Sequence, residues 1–227
     1  MKKLSLVIAL GLAAISAKAA TVSFQFQFPA PALTNTEINQ SGALGLFDTN
    51  LGTLTDVELV LNSAMTGIIT LSLGQSPGNQ NVRATATSDI FFTSSLAPLN
   101  AALGAVSQNL SFTTGFINLA PFSSQTTSGL TDAESTTLNA ALDPFITSFG
   151  TPNGGGFNLG CSSRSSFTLS GGGGFAGGSD NRQAGCGAMI TYTYSDGTPP
   201  LPVPEPGSLA LVALALATAG ASSRRKA

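Results

Sequence analysis

The sequence predicts a mainly β protein, built as an antiparallel β-sandwich or jelly roll with one or two short helices. Several segments alternate apolar and polar residues with a period of two, which is typical of strands with one buried face. These segments are rich in β-branched and aromatic residues, and turns of Gly, Pro and Asn separate them. About seven short strands in this arrangement are expected to pack as two sheets.

The alternation is strictest near the start of the chain. Residues 21–28 place four apolar side chains on one face, and Pro29 follows them and ends the strand. Residues 55–61 alternate again, residues 62–67 have the composition of a turn, and residues 68–73 continue as a strand. We therefore expect a β-hairpin or meander here. Further strands are predicted at residues 81–92, 110–116, 166–170 and 188–194.

One helix is predicted to interrupt the strands. Thr131 and Glu134 have the spacing of a capping box, in which each side chain accepts a hydrogen bond from the backbone N–H of the other residue. Apolar residues follow at helical spacing up to Leu142, and Pro144 is expected to end the helix there. A second, shorter helix is predicted within residues 96–106.

The N-terminus has the pattern of a secretory signal peptide. Lys2 and Lys3 precede an apolar segment at residues 4–15, and Ala17-Lys18-Ala19 fits a small-x-small cleavage site. An uncleaved membrane anchor is the alternative. We expect residues 1–19 to be removed after export by the secretory translocon and signal peptidase, which leaves an exported β-sandwich domain at residues 20–195.

Residues 150–187 form a low-complexity region with thirteen of the chain's 26 glycines, and both cysteines, Cys161 and Cys186, lie in it. Export implies an oxidising compartment, so a disulfide is expected. The bridge would close a flexible glycine-rich loop, and the chain-entropy model gives this closure about 3.5 kcal/mol. A metal site is the alternative, but two cysteines in a chain without His are a poor ligand set.

The C-terminus has the pattern of a sorting tag. A Pro-rich linker at residues 196–202 precedes the short motif Val203-Pro204-Glu205-Pro206, an apolar stretch at residues 209–221 and the basic cluster Arg224-Arg225-Lys226. Residues 203–227 resemble the PEP-CTERM signal of Gram-negative bacteria, with a short transmembrane helix. The resemblance implies an exosortase-type membrane protease as partner and Val203, Pro204, Glu205 and Pro206 as the processing motif. A plain, uncleaved C-terminal anchor is the alternative.

The body of the chain resembles a second family. Residues 47–59, Phe-Asp-Thr-Asn-Leu-Gly-Thr-Leu-Thr-Asp-Val-Glu-Leu, are similar to the opening of the choice-of-anchor E domains, and residues 142–146 fit the same pattern. These are exported, β-rich bacterial domains with no assigned activity. In physical terms, we expect residues 48–52 to form a turn before a strand. The core residues expected here are Leu51, Leu54, Val57 and Leu59.

Composition excludes several classes of function. Between Glu37 and Asp196, three arginines face ten acidic residues, so the body has a net charge near −7 and no lysine. An acidic body is a poor partner for nucleic acid. The absence of His excludes Ser-His-Asp, Cys-His and His-metal sites, and we expect no enzymatic activity, no cofactor and no metal.

Three weaker patterns point to other ligands. Asp56 and Glu58 lie on one strand face as a glycosidase pair would, but a solvated face explains them better. Residues 171–174 are four glycines without the Lys and Ser or Thr of a phosphate-binding loop. Asp180 and Asn181 between glycines could bind Ca²⁺, although such a pair is more often a turn.

The sequence therefore indicates an exported, non-catalytic surface or matrix protein that is held briefly in the inner membrane. The family resemblance implies a link to exopolysaccharide or biofilm. The alternative function is a carbohydrate-binding or adhesive module with a defined ligand site. For this alternative we expect an exposed aromatic patch, and Tyr192 and Tyr194 share one face of a predicted strand.

Overall fold

Long strands dominate the structure, a computed structural model that describes residues 19–140 and 142–196. One short α-helix and three 3-10 helices, at Thr49–Leu51, Asp143–Phe149 and Gly172–Gly174, connect them. The strands are β1 (Ala19–Phe26), β2 (Thr34–Asn35), β3 (Asn39–Asp48), β4 (Thr53–Leu73), β5 (Gln80–Ser94), β6 (Ser107–Thr113), β7 (Ile117–Leu119), β8 (Ser124–Leu138), β9 (Gly150–Thr151), β10 (Gly155–Gly171) and β11 (Ala176–Ser195), and helix α1 is Ala97–Leu103.

Two sheets pack as a sandwich, which confirms the predicted fold class. The first sheet has the order β1-β11-β4-β8, with β2 paired to β11. The second has the order β6-β5-β10-β3-β9, with β7 paired to β5. All described pairs are antiparallel except the short parallel pair of β3 and β9. Alternate residues of the long strands fill the core between the sheets, among them Leu59, Leu61, Ile90, Leu110, Leu159 and Ile190.

Strand β5 shows why the simple alternation predicts correctly. Its even-numbered residues from Val82 to Phe92 are buried and its odd-numbered residues face outward or lie half-buried, as the period of two requires. Strand β1 contains residues 21–26 of the predicted strand 21–28, and the predicted strand 188–194 is the last part of the longer β11. The predicted helix within residues 96–106 is confirmed as α1, which has a Pro in its first turn.

The predicted hairpin at residues 55–73 is wrong, because β4 is one continuous strand. It pairs with β11 on one side and β8 on the other over nearly its whole length. Two neighbours satisfy its backbone groups, so the turn-forming residues between Asn62 and Gly67 stay extended. An irregularity between Gly67 and Ile69 in the pairing with β8 is all that remains of the expected turn.

The helix predicted from Thr131 is also wrong, because residues 124–138 form strand β8. The carboxylates of this segment bind backbone groups of a neighbouring strand instead of capping a helix. The backbone N–H of Asn109 donates to Glu134 Oε2 at 2.8 Å, and that of Ser111 donates to Asp132 Oδ2 at 2.6 Å. Two carboxylates on one face of β8 thus accept hydrogen bonds from backbone N–H groups at the outer edge of β6. These bonds join the two sheets on this side of the sandwich without direct strand pairing.

The glycine-rich region is not a flexible loop, since it forms most of the long strands β10 and β11. Its glycines leave room for neighbouring groups. A Cβ on Gly187 would overlap the carbonyl oxygen of Gln27, which crosses the outer face of β11. Gly171 has a φ of 86° and lies against the carbonyl of Asn81 at the end of β10. These glycines are therefore required by close backbone approach.

The segment at residues 47–59 folds as a turn before a strand, as expected. Asp48 Oδ1 accepts hydrogen bonds from the N–H groups of Asn50 and Asn153, both at 2.9 Å, and the 3-10 helix leads into β4. Val57 and Leu59 are buried in the core, but Leu51 is 44% exposed, so its assignment to the core is wrong. It lies in the 3-10 helix before β4, which has no buried residue.

Candidate functional site

The predicted disulfide is confirmed between Cys161 and Cys186, with a Cα–Cα distance of 6.6 Å. Cys161 lies on β10 in the second sheet and Cys186 on β11 in the first, and both are buried. The bridge therefore ties the two sheets together through the core. Its expected role as a clasp on a flexible loop is wrong, because the residues it encloses are themselves strands.

Gln40 extends this covalent link with hydrogen bonds. It lies opposite Cys161 on β3, and its Oε1 accepts from the N–H of Cys186 at 3.1 Å. Its Nε2 donates to the carbonyl of Ala32 at 2.8 Å and to Thr34 Oγ1 at 3.2 Å. The segment before β3 is therefore fixed to the disulfide-bonded pair of strands.

Tyr192 and Tyr194 share one face of β11, as predicted, but the expected exposed patch is wrong for Tyr192. That side chain is fully buried and its hydroxyl donates to the carbonyl of Gly45 at 2.8 Å. The aromatic residues around Tyr192 lie at ring-centroid distances of 6.0 to 6.4 Å, and they are Phe24, Phe47 and Phe149. Tyr194 is half-buried against Phe47. This cluster belongs to the core and leaves no platform for a sugar.

We expect Tyr192 to make the fold sensitive to alkali. Burial raises the pKa of Tyr192 above its ordinary value of 10.0. The unfolded chain therefore releases this proton at a lower pH than the folded chain. Stability from this group is complete below pH 10 and falls above it, by at most about 1.4 kcal/mol per pH unit. Urea denaturation at several values between pH 8 and 11 measures how the free energy of unfolding changes with pH.

Tyr192→Phe separates this titration from other alkaline effects. The variant loses the hydrogen bond to Gly45, so we expect it to be less stable by about 1 kcal/mol at pH 7 and to lose less stability above pH 10 than the wild type. Tyr194→Phe is the matched control for the loss of a tyrosine hydroxyl from the same face of β11. Equal alkaline slopes for Tyr192→Phe and the wild type would contradict this assignment.

The acidic residues do not form the sites that their spacing suggested. Asp56 and Glu58 lie half-buried on β4, opposite Thr193 and Thr191 of β11. Four shallow depressions of the described surface, 310 to 530 Å³ in volume, are lined by neither carboxylate. Within residues 19–140 and 142–196, no three His, Cys, Asp or Glu residues lie close enough to hold a metal ion.

Asp180 has a structural partner that the sequence did not reveal. It lies in β11 rather than in a turn, and its carboxylate forms an ion pair with Arg182, which is 7% exposed. Arg182 Nη1 donates to the carbonyl of Thr87 at 2.6 Å and to that of Ser166 at 2.8 Å. A side chain of the first sheet is thus hydrogen-bonded to two strands of the second. This use of the carboxylate contradicts a Ca²⁺ site at Asp180.

The predicted processing motif, Val203, Pro204, Glu205 and Pro206, lies outside the described residues, as do the signal peptide up to Lys18 and the apolar stretch at residues 209–221. The structure does describe where the body ends. Ala19 at the start of β1 pairs directly with Ser195 at the end of β11. In the described part of the chain, no helix has the length and apolar character needed to cross a membrane.

The comparisons with known proteins identify the C-terminal segment. Residues 202–226 match the PEP-CTERM protein-sorting motif. The matched residues include all four residues of the predicted processing motif, and the PEP-CTERM tag supports an exported surface protein that an exosortase processes. The resemblance of residues 47–59 to the choice-of-anchor E family is not confirmed.

None of the curated proteins matches the chain. Among solved structures, the infectious bursal disease virus Gx strain aligns with 9% identity and a TM-score of 0.17, over 80% of this chain and 34% of the viral chain. The Gt strain of the same virus aligns with 10% identity and a TM-score of 0.11, over 94% of this chain and 52% of the viral chain. This chain thus spans about a third to a half of the viral chains, and likeness at this level carries no argument about function.

Proposed function

We propose that this protein is an exported, exosortase-processed surface or extracellular-matrix protein with a non-catalytic, structural or interaction role linked to exopolysaccharide or biofilm. The match of residues 202–226 to the PEP-CTERM motif is the observation that carries the proposal. After export and removal of residues 1–19, the apolar segment of the tag holds the chain in the inner membrane. The exosortase then cleaves beside Pro204, Glu205 and Pro206, and the body is released or attached at the cell surface.

The body has the features that such a location demands. The disulfide between Cys161 and Cys186 suits an oxidising compartment outside the cytoplasm. Because Ala19 pairs with Ser195, the first strand begins and the last strand ends at the same end of the sandwich. Removal of residues 1–19 takes only the exposed first residue of the edge strand β1, so the buried core residues stay in place.

Processing is tested by the intact mass of the protein from cells and from the medium, with and without reductant. We expect a species that begins near Ala20, ends between Val203 and Pro206, and gains two hydrogens on reduction. Additional mass at the new C-terminus would identify the group to which the chain is joined. The substitution Glu205→Ala should leave a full-length C-terminus in the membrane fraction, because it changes the recognition element.

Pro199→Ala is the matched control, since it changes a proline of the linker outside the matched residues 202–226. It should be processed like the wild type. A wild-type protein that keeps its full C-terminus in the membrane would show that the tag is an ordinary anchor, and the proposed release or attachment would then be wrong.

A further inference from the structure

Three phenylalanines are the most exposed large apolar side chains of the described residues, and all lie at one end of the sandwich. Phe122 is 78% exposed, Phe116 63% and Phe175 45%. Phe116 and Phe122 lie in residues 114–123, which include β7, and Phe175 lies in residues 172–175. Together with residues 74–79, which connect β4 to β5, these segments form what we call the aromatic pole. The strand predicted at residues 110–116 includes Phe116, but β6 ends at Thr113.

Backbone hydrogen bonds through Gly74 join all three of these segments. Gly74 donates its N–H to the carbonyl of Phe175 at 2.9 Å, and its own carbonyl accepts from the N–H of Phe122 at 3.3 Å. Phe175 N–H in turn donates to the carbonyl of Gly172 at 2.9 Å. The two rings are therefore presented by connected, hydrogen-bonded turns.

Phe122 has an unfavourable backbone conformation as well as an exposed ring. Its φ is 57°, in the left-handed region that bulky residues rarely adopt. Neither burial of the ring nor local conformational preference explains a phenylalanine here, and Gly or Asn would fit the turn better. Residues in such sparsely populated backbone conformations cluster at active sites and ligand-binding segments.

The charge of the aromatic pole is opposite to that of the rest of the body. Arg83 lies beside it with its guanidinium 4.9 Å from the ring centroid of Phe116. Its Nε donates to Ser170 Oγ at 3.3 Å, and Ser170 is also its cross-strand partner. The three loops contain no Asp or Glu. Arg83 therefore gives the pole a positive charge in a body whose net charge is near −7.

A second Arg–Phe pair on the same sheet lacks these features. Arg164 lies 5.6 Å from the ring centroid of Phe91, but it sits opposite the carboxylate-bearing Asp89 in the pairing of β10 with β5. Phe91 is a regular strand residue and is 36% exposed. The two pairs therefore differ in charge and in exposure, because Arg83 lies opposite Ser170 rather than a carboxylate and Phe116 is 63% exposed.

We propose that the aromatic pole binds an acidic polysaccharide, an inference that rests on the proposed matrix role. The apolar C–H faces of pyranose rings pack on exposed phenyl rings, and a uronate carboxylate accepts hydrogen bonds from the terminal N–H groups of Arg83. Asn79, Asn81 and Asn118 add a chain of amides beside the rings, linked at 3.1 and 3.0 Å. These amides suit sugar hydroxyls and would be costly to bury in an apolar partner.

The position of the pole fits a tethered or attached protein. Strand β11 runs from Ala176 beside the pole to Ser195, where the linker to the PEP-CTERM tag begins. Twenty residues of strand extend roughly 60 Å. A body attached through its C-terminus therefore has its binding loops at the far end of β11 from the attachment point.

The test measures binding of the full chain in detergent to polygalacturonate and to neutral dextran, by affinity electrophoresis at low and high salt. We expect retardation by polygalacturonate that weakens with salt, and little retardation by dextran. Phe122→Ala should weaken this binding by about tenfold. Arg83→Gln should remove the preference for the acidic polymer. The matched controls Phe91→Ala and Arg164→Gln should bind like the wild type.

The outcomes separate this proposal from the proposed function. Because the assay uses the full chain, it gives a result whether or not the tag is processed. Equal retardation by both polymers, no retardation by either, or equal losses in the control variants would overturn the polysaccharide site. Sedimentation that shows a dimer broken by Phe122→Ala, without polymer binding, would instead assign the pole to a second copy of this chain.

Discussion

Reduction of the disulfide between Cys161 and Cys186 is expected to lower the free energy of unfolding by about 3.5 kcal/mol. The bridge joins residues 25 apart, and closing a loop of this length restricts the unfolded chain by that amount in the chain-entropy model. Urea denaturation of the oxidised and reduced protein measures the difference. A loss of this size is a large fraction of the stability of an ordinary domain.

The double variant Cys161→Ala/Cys186→Ala tests how much of the effect comes from packing. Both sulfurs are buried between the sheets, so the variant loses the cross-link and also leaves space in the core. We expect it to be less stable than the reduced wild type. Identical urea midpoints for oxidised and reduced protein would show that the bridge contributes nothing to the folded sandwich.

Alternation predicted the fold class because a strand with one buried face has apolar residues at every second position. Strand β5 is an example, with buried residues at every second position from Val82 to Phe92. The outward face of such a strand is polar and its inward face is apolar, whatever it pairs with. The sandwich class could therefore be predicted without any knowledge of the sheet order.

Residues 62–67 and 131–138 were misassigned because their structure is decided by neighbours far away in the chain. Asn62 and Gly67 favour a turn locally, but β11 and β8 pair with the backbone there. Thr131 and Glu134 have the spacing of a helix start, but Glu134 instead accepts the N–H of Asn109 on β6. Local propensity is weak compared with pairing and burial in a sheet.

The candidate sites could be predicted only where their residues form a contiguous motif or have a single possible partner. The PEP-CTERM motif is a contiguous segment, and the two cysteines had no other partners to choose from. Alternation shows that Tyr192 and Tyr194 share one face of β11. It does not show whether that face packs against the second sheet or lies at the surface. The aromatic pole joins three loops that are distant in the chain, so no single motif reveals it.

Arg182→Met is expected to destabilise the protein by about 3 kcal/mol, although it places a non-polar side chain in a buried position. Arg182 lies in the core with its guanidinium paired to Asp180 and hydrogen-bonded to the carbonyls of Thr87 and Ser166. The variant removes these bonds and leaves a largely buried carboxylate without its cation. Breaking one partner of such a pair costs more than the pair contributes, because the remaining charge is uncompensated.

Two further variants separate the loss of the buried ion pair from the loss of an arginine side chain in general. Arg164→Met changes an exposed arginine on β10 and should alter the free energy of unfolding by less than about 0.5 kcal/mol. Arg182→Met combined with Asp180→Leu removes both charges, so we expect it to recover part of the loss. If Arg182→Met were as stable as Arg164→Met in urea, the hydrogen bonds of Arg182 between the sheets would contribute no net stability. A double variant less stable than Arg182→Met would show that Asp180 stabilises β11 by contacts other than the ion pair.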